Sequence, residues 1–303
     1  MTQKSSTGWP SIYIVGAAKC GTTSLWAHLR KHPQVFFPKM KEPHFFSDSL
    51  APVPSKDADM HCPGEEDRYL SLYAGSEKFR AVGDASASYL WDERAPHNIR
   101  KARPDARIII MLRDPVDRAF SHYLMYRYLG LEKRSPLQAM RDDYYGKDKN
   151  WWTSRLYVEL GLYCAQVKRY LSTFGSDQVA IFLFDDLKRN PEELFTKIAR
   201  HIGVDPELLD KSEVSRPENS YKRARFPLLH QMAKSSLSRE LRHKILPQSV
   251  STWLTYNKVL YNTDKPEQDN ESKRFLQTFY APEMNELEEL LGRKLPELRK
   301  SWV

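Results

Sequence analysis

The sequence predicts a single α/β domain in which a central, mainly parallel sheet is flanked by helices. Three apolar runs, at residues 11–15, 107–112 and 179–184, fit buried strands because they are continuous and rich in β-branched side chains. Segments with apolar residues at helical spacing lie between them. Buried strands that alternate with helices are typical of a parallel sheet covered on both faces. We therefore expect one domain over residues 11–303.

The composition indicates a folded chain with a polar surface. Of its 303 residues, 41% are hydrophobic and 28% are charged, and the mean hydropathy is −0.64. The net charge of +8 suits an anionic ligand, while the interleaved acidic residues leave an ordinary lysine-rich surface as the alternative. No apolar run approaches the ~18 residues of a membrane span, and residues 1–10 are polar and expected to be flexible.

Cysteine and histidine usage argues against disulfides and metal sites. Cys20, Cys62 and Cys164 are too few and too scattered for a disulfide framework, and no CxxC pair offers a zinc site. His28 and His32 are four residues apart but lack the glutamate of a zinc-protease motif. Because no secretory signal pattern opens the chain, we expect reduced thiols in a cytoplasmic protein without a bound metal.

The first predicted strand leads into a loop that is suited to bind a phosphate. The loop reads Gly16-Ala-Ala-Lys-Cys-Gly-Thr-Thr23, and residues 24–31 continue with a helical pattern. Gly16 and Gly21 permit tight turns and a close approach of the backbone. Backbone N–H groups and the positive end of the helix converge on one point, as in a P-loop. A glycine turn without a ligand is the alternative.

One position distinguishes this loop from the loop of nucleoside triphosphate enzymes. The Walker A spacing is present, but Thr22 stands where the lysine is expected. Lys19 lies inside the loop instead, where its ammonium reaches the bridging oxygen of a bound anhydride. A nucleoside triphosphate needs lysine and Mg²⁺ on its terminal phosphates, whereas a phosphosulfate carries a single 5′-phosphate and a less charged sulfate. A Mg²⁺-requiring kinase or other phosphotransferase is the alternative.

A second anion site is predicted after the second strand. Arg113-Asp-Pro-Val-Asp-Arg118 follows that strand at its carboxyl end, where open α/β sheets bind ligands. Ser121 comes eight residues after Arg113, about two helical turns further along. The planar fork of Arg113 and the hydroxyl of Ser121 suit a phosphate next to the first loop. An ordinary turn at the end of a strand is the alternative.

The remaining segments complete the predicted domain. Helical patterns occupy residues 162–174 and 191–202, and an amphipathic helix over residues 272–291 is expected to pack on the core. Trp302 is a candidate anchor for the segment that follows. Residues 47–66 and 130–150 are predicted to be irregular insertions.

The two anion motifs carry a resemblance to a known family. Residues 16–25 resemble the 5′-phosphosulfate loop of sulfotransferases that use 3′-phosphoadenosine 5′-phosphosulfate (PAPS), and residues 112–122 resemble their 3′-phosphate motif. Further matches are Lys41-Glu-Pro-His-Phe-Phe46, residues 161–170 and residues 184–191. Together they are similar to the heparan-sulfate glucosaminyl sulfotransferase branch and its bacterial relatives over nearly the whole chain.

The resemblance implies PAPS as the donor, adenosine 3′,5′-bisphosphate (PAP) as the product and no metal. It implies Glu42 as the general base, with His44 beside it, and Lys19 as the group that stabilises the leaving oxygen. The residues implied to bind the nucleotide are Lys19, Cys20, Gly21, Thr22, Thr23, Ser24, Arg113, Ser121, Lys222 and Arg223. The acceptor would be a hydroxyl or amine of a small molecule or carbohydrate, and neither nucleic acid nor membrane is an expected partner.

At two positions the sequence departs from the pattern of the sulfotransferase family. Ala85 stands where the glycan enzymes carry a lysine that meets the acidic polysaccharide, and Arg223 replaces a usual glycine. The alanine, together with the lack of the cysteine pair that the glycan enzymes carry near the loop that closes over the nucleotide, argues against heparan sulfate itself as the acceptor. The arginine makes the match to that loop a loose one. The aromatic pairs Tyr144-Tyr145 and Trp151-Trp152 fit either an acceptor pocket or core packing. A noncatalytic binder of PAP or nucleic acid is a further alternative, in which Glu42 would be dispensable.

Overall fold

The fold is described from a computed structural model. The structure describes residues 8–47, 65–147, 149–151, 154–210 and 266–302, together with short strands at 222–224 and 260–262. Within these ranges, no helix combines the length and the apolar character that crossing a bilayer requires.

Five parallel strands form the central sheet. They are β1 (Ile12–Gly16), β2 (Val35–Phe36), β3 (Ala81–Ala85), β4 (Arg107–Leu112) and β5 (Val179–Leu183). Their order across the sheet is β2-β3-β1-β4-β5, and every neighbouring pair is parallel. β1 lies in the middle and is buried along its whole length, as its apolar sequence IYIVG requires of a strand covered on both faces.

Helices occupy the connections between the strands. They are α1 (Thr22–Leu29), α2 (Glu66–Ser71), α3 (Ala95–Ala102), α4 (Pro115–Tyr128), α5 (Pro136–Tyr145), α6 (Tyr163–Phe174), α7 (Phe184–Arg189), α8 (Pro191–His201) and α9 (Asn270–Leu291). A 3₁₀ helix at Pro296–Trp302 follows α9. β6 (Lys222–Ala224) pairs antiparallel with β7 (Leu260–Asn262). The predicted α/β class with a parallel sheet is thus confirmed.

Two groups of buried apolar side chains hold these layers together. The larger group surrounds the central sheet and includes the strand residues Ile14 and Ile109. The second group joins α4, α5 and α9 through Phe120, Met140 and Tyr280, each 3% exposed or less. Burying large apolar and aromatic side chains is the main stabilising contribution to such contacts. The packing fixes α4, the helix that begins at the end of β4.

The apolar pattern did not predict β2 or β3. β2 has only two residues, and Gly83 and Asp84 interrupt the apolar run of β3. Contacts with other segments of the chain explain the presence of both Gly83 and Asp84. A Cβ at Gly83 would lie 2.3 Å from the ring of Phe37, and the carboxylate of Asp84 is completely buried among hydroxyl donors.

The prediction of an irregular insertion at residues 130–150 is wrong where α5 lies. Ser135 caps this helix by accepting a hydrogen bond from the backbone N–H of Gln138 (3.3 Å), and Pro136 takes its first position. These start signals outweigh the charged composition. The ring of Tyr144 lies 4.3 Å from that of Phe279 on α9, measured between centroids, so this part of the tyrosine pair packs against the core.

The packed structure begins before residue 11. The ring of Trp9 lies 5.5 Å from Phe45, 5.6 Å from Phe46 and 5.8 Å from Tyr69, measured between ring centroids. Trp9 therefore belongs to the aromatic contacts next to β1, although the sequence predicted flexible residues up to position 10. Residues 1–7 lie outside the described ranges.

Candidate functional site

The segments that follow four strands meet at the carboxyl edge of the sheet. The loop after β1 carries Lys19 and Gly21, Ser86 follows β3, Arg113 follows β4, and Phe184 follows β5. After β1 the chain continues to β2 and β3 on one side of β1, and after β3 it continues to β4 on the other side. A crevice is left at the carboxyl end of β1, where these connections diverge. Crevices of this kind are where open α/β sheets bind ligands.

The loop after β1 directs the first turn of α1 towards the crevice. Gly21 is the N-cap of α1 and has a φ of 88°, a conformation that side chains with a Cβ rarely adopt. A Cβ there would also lie 2.8 Å from Cδ2 of Phe184. The first N–H groups of a helix have no acceptor within the helix. Thr22 and Ser24 are buried in this first turn, while Thr23 is exposed.

Lys19 places an ammonium group inside the site. Its Nζ lies 3.6 Å from Sδ of Met125 on α4. Burial lowers the pKa of Lys19 and the nearby Arg113 lowers it further, while the carboxylate of Glu42 acts in the opposite direction. A half-buried cation with a second cation beside it is stabilised when an anion binds.

Arg113 is held against the loop after β1. Its Nη1 donates to the carbonyl oxygen of Lys19 (3.4 Å), and its Nη2 pairs with Oδ2 of Asp117 (3.4 Å). The guanidinium lies 4.8 Å from the centroid of the Phe184 ring. In the described part of the structure, its buried Nε has no hydrogen-bond partner. Arg113 thus has one donor that no described protein group uses.

Ser121 shares one side of α4 with Asp117. Residues four apart on a helix are neighbours on its surface, so the partner of Arg113 and the half-buried Ser121 occupy successive turns. The backbone of β6, which contains Lys222 and Arg223, lies against α4. The side chains of both residues lie outside what the structure describes.

Glu42 and His44 lie on the segment after β2, facing the end of β3. Glu42 has a φ of 62° and donates its backbone N–H to the carbonyl oxygen of Ala85 (3.1 Å). Its carboxylate, 33% exposed, pairs with Lys41 and lies 3.8 Å from Nε2 of His44. Nδ1 of His44 lies 2.6 Å from Oγ of Ser88, which fixes the orientation of the buried ring.

A buried aspartate supports the segment that carries Glu42 and His44. Asp84 accepts hydrogen bonds from the hydroxyls of Tyr69, Tyr89 and Ser86, each at 2.8 Å. Oγ of Ser86 also accepts the backbone N–H of His44 (3.3 Å). Burial raises the pKa of Asp84 to about 6, and the three hydroxyl donors offset part of that effect. Asp84 thereby connects the end of β3 to the segment that carries Glu42.

The sulfotransferase domain family matches residues 10–288 of the chain. The chain belongs to the sulfotransferase family. A solved sulfotransferase from Alicyclobacillus acidocaldarius is 30% identical with a TM-score of 0.73, and the match covers 96% of this chain and 99% of that one. The family predicted from the two anion motifs is therefore confirmed.

Two curated proteins that are similar to this sulfotransferase are themselves named as sulfotransferases. Carbohydrate sulfotransferase 15 of Homo sapiens is 28% identical over 269 residues, which cover 72% of this chain and 48% of the relative. Heparan sulfate glucosamine 3-O-sulfotransferase 6 of Mus musculus is 28% identical over 209 residues, covering 67% of this chain and 55% of the relative. The chain spans about half the length of these relatives.

A more distant structure supports the fold alone. Mouse sulfotransferase SULT7A1, solved in complex with PAP, is 14% identical with a TM-score of 0.50. The match covers 91% of this chain and 84% of that one.

A buried arginine that sequence reasoning did not select also lies next to the candidate site. Arg118 is completely buried and donates from Nη2 to the carbonyl oxygen of Tyr157. Its Nε and Nη1 have no hydrogen-bond partner among the described residues. Its charge lowers the pKa of Lys19 and partly offsets the burial that raises the pKa of Cys20. Arg118 therefore adds positive charge that acts on two residues of the loop after β1.

Cys20 occupies a different position from its neighbours in the loop. Its side chain is completely buried, with Sγ 3.7 Å from the hydroxyl of Tyr163. Its backbone N–H donates to the carbonyl oxygen of Ala17 (3.2 Å). Tyr163 in turn donates to the carbonyl oxygen of Arg113 (2.9 Å). Cys20 thus packs the loop onto the turn that carries Arg113.

No group of three or more histidine, cysteine, aspartate or glutamate side chains suited to a metal occurs within the described ranges. His28 instead lies 2.7 Å from the carbonyl oxygen of Ser24, and His32 lies 2.9 Å from that of Asp205. Both histidines therefore have structural partners, and they face different neighbours.

We expect an Asp84→Asn variant to change how stability depends on pH. The folded chain holds the Asp84 proton with a pKa of about 6 against 3.8 for the ordinary group. Because this pKa is raised, ionisation of Asp84 opposes folding. Its effect lowers the free energy of unfolding as the pH rises from about 4 to about 7, by roughly 3 kcal/mol at most. In the Asp84→Asn variant, this decrease in the free energy of unfolding with rising pH should be absent.

Urea unfolding at a series of pH values measures the difference between the two proteins. Asp67→Asn, which removes an exposed aspartate from the first turn of α2, serves as the control. Parallel pH profiles for the parent chain and the Asp84 variant would show that the buried carboxylate does not titrate as described.

Proposed function

We propose that this sulfotransferase moves a sulfuryl group in line from PAPS to a hydroxyl or amine of a small-molecule or carbohydrate acceptor. One observation carries the proposal: Glu42, hydrogen-bonded to Ala85 at the end of β3, and Lys19, in the loop after the adjacent strand β1, lie at the same carboxyl edge of the sheet, where the carboxylate raises the pKa of the Lys19 ammonium. In-line transfer needs a base for the acceptor and a cation for the leaving oxygen, on opposite sides of the group that moves. These two side chains supply both.

The described residues suit a nucleotide with two separated phosphates. The first turn of α1, reached through Gly21, and the ammonium of Lys19 suit the 5′-phosphosulfate. Arg113, with its unpartnered Nε, and Ser121 on α4 suit the 3′-phosphate. Lys222 and Arg223, on a strand whose backbone lies against α4, stay predicted nucleotide ligands.

The donor supplies a sulfuryl group that is already activated. Glu42 removes the proton of the attacking hydroxyl or amine as the new bond to sulfur forms. Lys19 neutralises the negative charge that develops on the bridging oxygen as the old sulfur–oxygen bond breaks, and that oxygen stays with the 5′-phosphate. His44, held by Ser88, orients the Glu42 carboxylate for this proton transfer.

Aromatic side chains next to His44 support an acceptor with a ring. The rings of Trp151 and His44 lie 5.9 Å apart, and those of Trp151 and Trp91 lie 6.2 Å apart, measured between centroids. Both tryptophans are half-buried, so part of each ring faces outward. Aromatic walls with a few polar groups are typical of small-molecule sites. The carbohydrate sulfotransferases among the relatives make a sugar our first candidate.

We expect PAP to raise the thermal stability of the chain without any divalent metal. Lys19, Arg113 and the helix terminus already offer positive charge, and a ligand that binds only the folded state raises its stability. Adenosine 5′-monophosphate, which lacks the 3′-phosphate, should stabilise the chain much less. Differential scanning fluorimetry with each nucleotide, with EDTA or with Mg²⁺, measures both effects.

The Walker A spacing makes a Mg²⁺-dependent kinase the specific rival. Stabilisation by ATP only in the presence of Mg²⁺, with no response to PAP, would replace the sulfotransferase proposal by that one. A direct assay follows the transfer of labelled sulfate from PAPS to candidate sugars. The cytoplasmic location and the absence of a nucleic-acid partner stay predictions from the sequence.

A further inference from the structure

The final 3₁₀ helix docks on the turn that carries Arg113. Oδ2 of Asp114 accepts the backbone N–H of Ser301 (2.8 Å) and its hydroxyl (2.9 Å). Oδ1 of Asp114 accepts the indole N–H of Trp302 (3.3 Å). Asp114 is 5% exposed, so a carboxylate in the interior receives three of its hydrogen bonds from residues almost 190 positions away.

Asp114 also organises the start of α4. It is the N-cap residue, and Oδ1 accepts the backbone N–H groups of Val116 (2.9 Å) and Asp117 (3.3 Å). It directly follows Arg113, and Asp117 is the ion-pair partner of that arginine. The carboxylate therefore links the backbone on both sides of the proposed 3′-phosphate site.

The segment that contains Ser301 and Trp302 also contacts the turn of Phe184, whose ring lies next to the Arg113 side chain. Lys300 forms an ion pair with Asp185, the residue after Phe184. The ring of Phe184 lies 4.8 Å from the guanidinium of Arg113. Three consecutive residues of the chain, 300–302, thus contact the turn that carries the arginine and the turn on which its side chain rests.

We propose that Ser301 and Trp302 are positioning residues for nucleotide binding, which act by fixing the Asp114 carboxylate and through it the direction of Arg113. The proposal rests on the proposed function, because it takes the 3′-phosphate as the ligand of Arg113. A bidentate contact to a phosphate depends on the angle of the guanidinium plane. Loss of the two side-chain donors, the Ser301 hydroxyl and the Trp302 indole N–H, leaves the buried carboxylate with fewer hydrogen bonds, and the turn that it organises loosens.

A paired substitution tests the proposal with little change in volume. Ser301→Ala removes the hydroxyl donor, and Trp302→Phe removes the indole N–H while a large ring stays in the core contacts around α4 and α9. Calorimetry then measures the affinities for PAP and for adenosine 5′-monophosphate. These two nucleotides differ only in the 3′-phosphate, so the ratio of their affinities reports on the contacts to that phosphate, which we assign to Arg113 and Ser121.

The double variant should bind PAP about tenfold more weakly, with a change of about twofold or less for adenosine 5′-monophosphate. Lys294→Ala is the matched control, because Lys294 precedes the same segment but pairs with Glu288. A purely structural role would lower the melting temperature and weaken both nucleotides alike, and an unchanged affinity ratio would overturn the proposal. No preference for PAP in the parent chain would instead overturn the proposed nucleotide site, and this inference with it.

Discussion

Glu42→Gln is expected to lower the rate of sulfuryl transfer by about 10² to 10⁴, the usual range for loss of a general base. Glutamine keeps the size of the side chain and its contact with Lys41, but it does not accept a proton from the acceptor. The backbone hydrogen bond from residue 42 to Ala85 is unaffected by the change. Nucleotide affinity should therefore stay close to that of the parent chain, and the loss should appear in turnover at saturating acceptor.

Single-turnover transfer and PAP calorimetry on the same preparations separate these effects. Glu207→Gln, at an exposed position in the 3₁₀ helix Pro206–Leu208, controls for the loss of a carboxylate elsewhere. Parental turnover in Glu42→Gln would assign the base to another residue, and His44 is the next candidate because its Nε2 lies 3.8 Å from the same carboxylate.

Lys19→Ala is expected to lower both nucleotide affinity and turnover. In the ground state the ammonium meets the bound phosphosulfate, and removing a charge-assisted contact weakens binding by roughly tenfold to a hundredfold. In the transition state it faces the charge on the leaving oxygen, and loss of such a group costs about 10² to 10³ in rate. Since alanine keeps a Cβ at the φ of 69°, the loop backbone experiences the same local restraint.

The same two measurements, made on Lys19→Ala and on an exposed-lysine control, Lys39→Ala, distinguish Lys19 from Glu42. Glu42→Gln should affect turnover almost alone, whereas Lys19→Ala should affect both quantities. A Lys19→Ala protein that loses affinity but keeps its single-turnover rate would remove Lys19 from the transition state and leave it a binding residue.

The local sequence determined the elements whose patterns are uninterrupted. The strand at Arg107–Leu112 was predicted with the bounds that the structure has, because a central parallel strand needs apolar side chains on both faces. β2 was too short to have a pattern, and Gly83 and Asp84 broke that of β3 for reasons that lie in other segments. α5 carried its start signals at Ser135 and Pro136, so its omission came from giving more weight to composition than to capping.

Some features of the candidate site were likewise predictable from the sequence, and others were not. Sequence spacing predicted that the loop with Lys19 and the turn with Arg113 would be neighbours, since both follow parallel strands at one edge of the sheet. Glu42 and His44 entered through a family resemblance, because residues outside the predicted elements have no pattern that places them. Only the tertiary structure brought in the Asp84 hydroxyl contacts and the docking of Ser301 and Trp302 on Asp114. Partners separated by as many as 188 positions leave no periodic signal in the sequence, because their geometry exists only after the chain has folded.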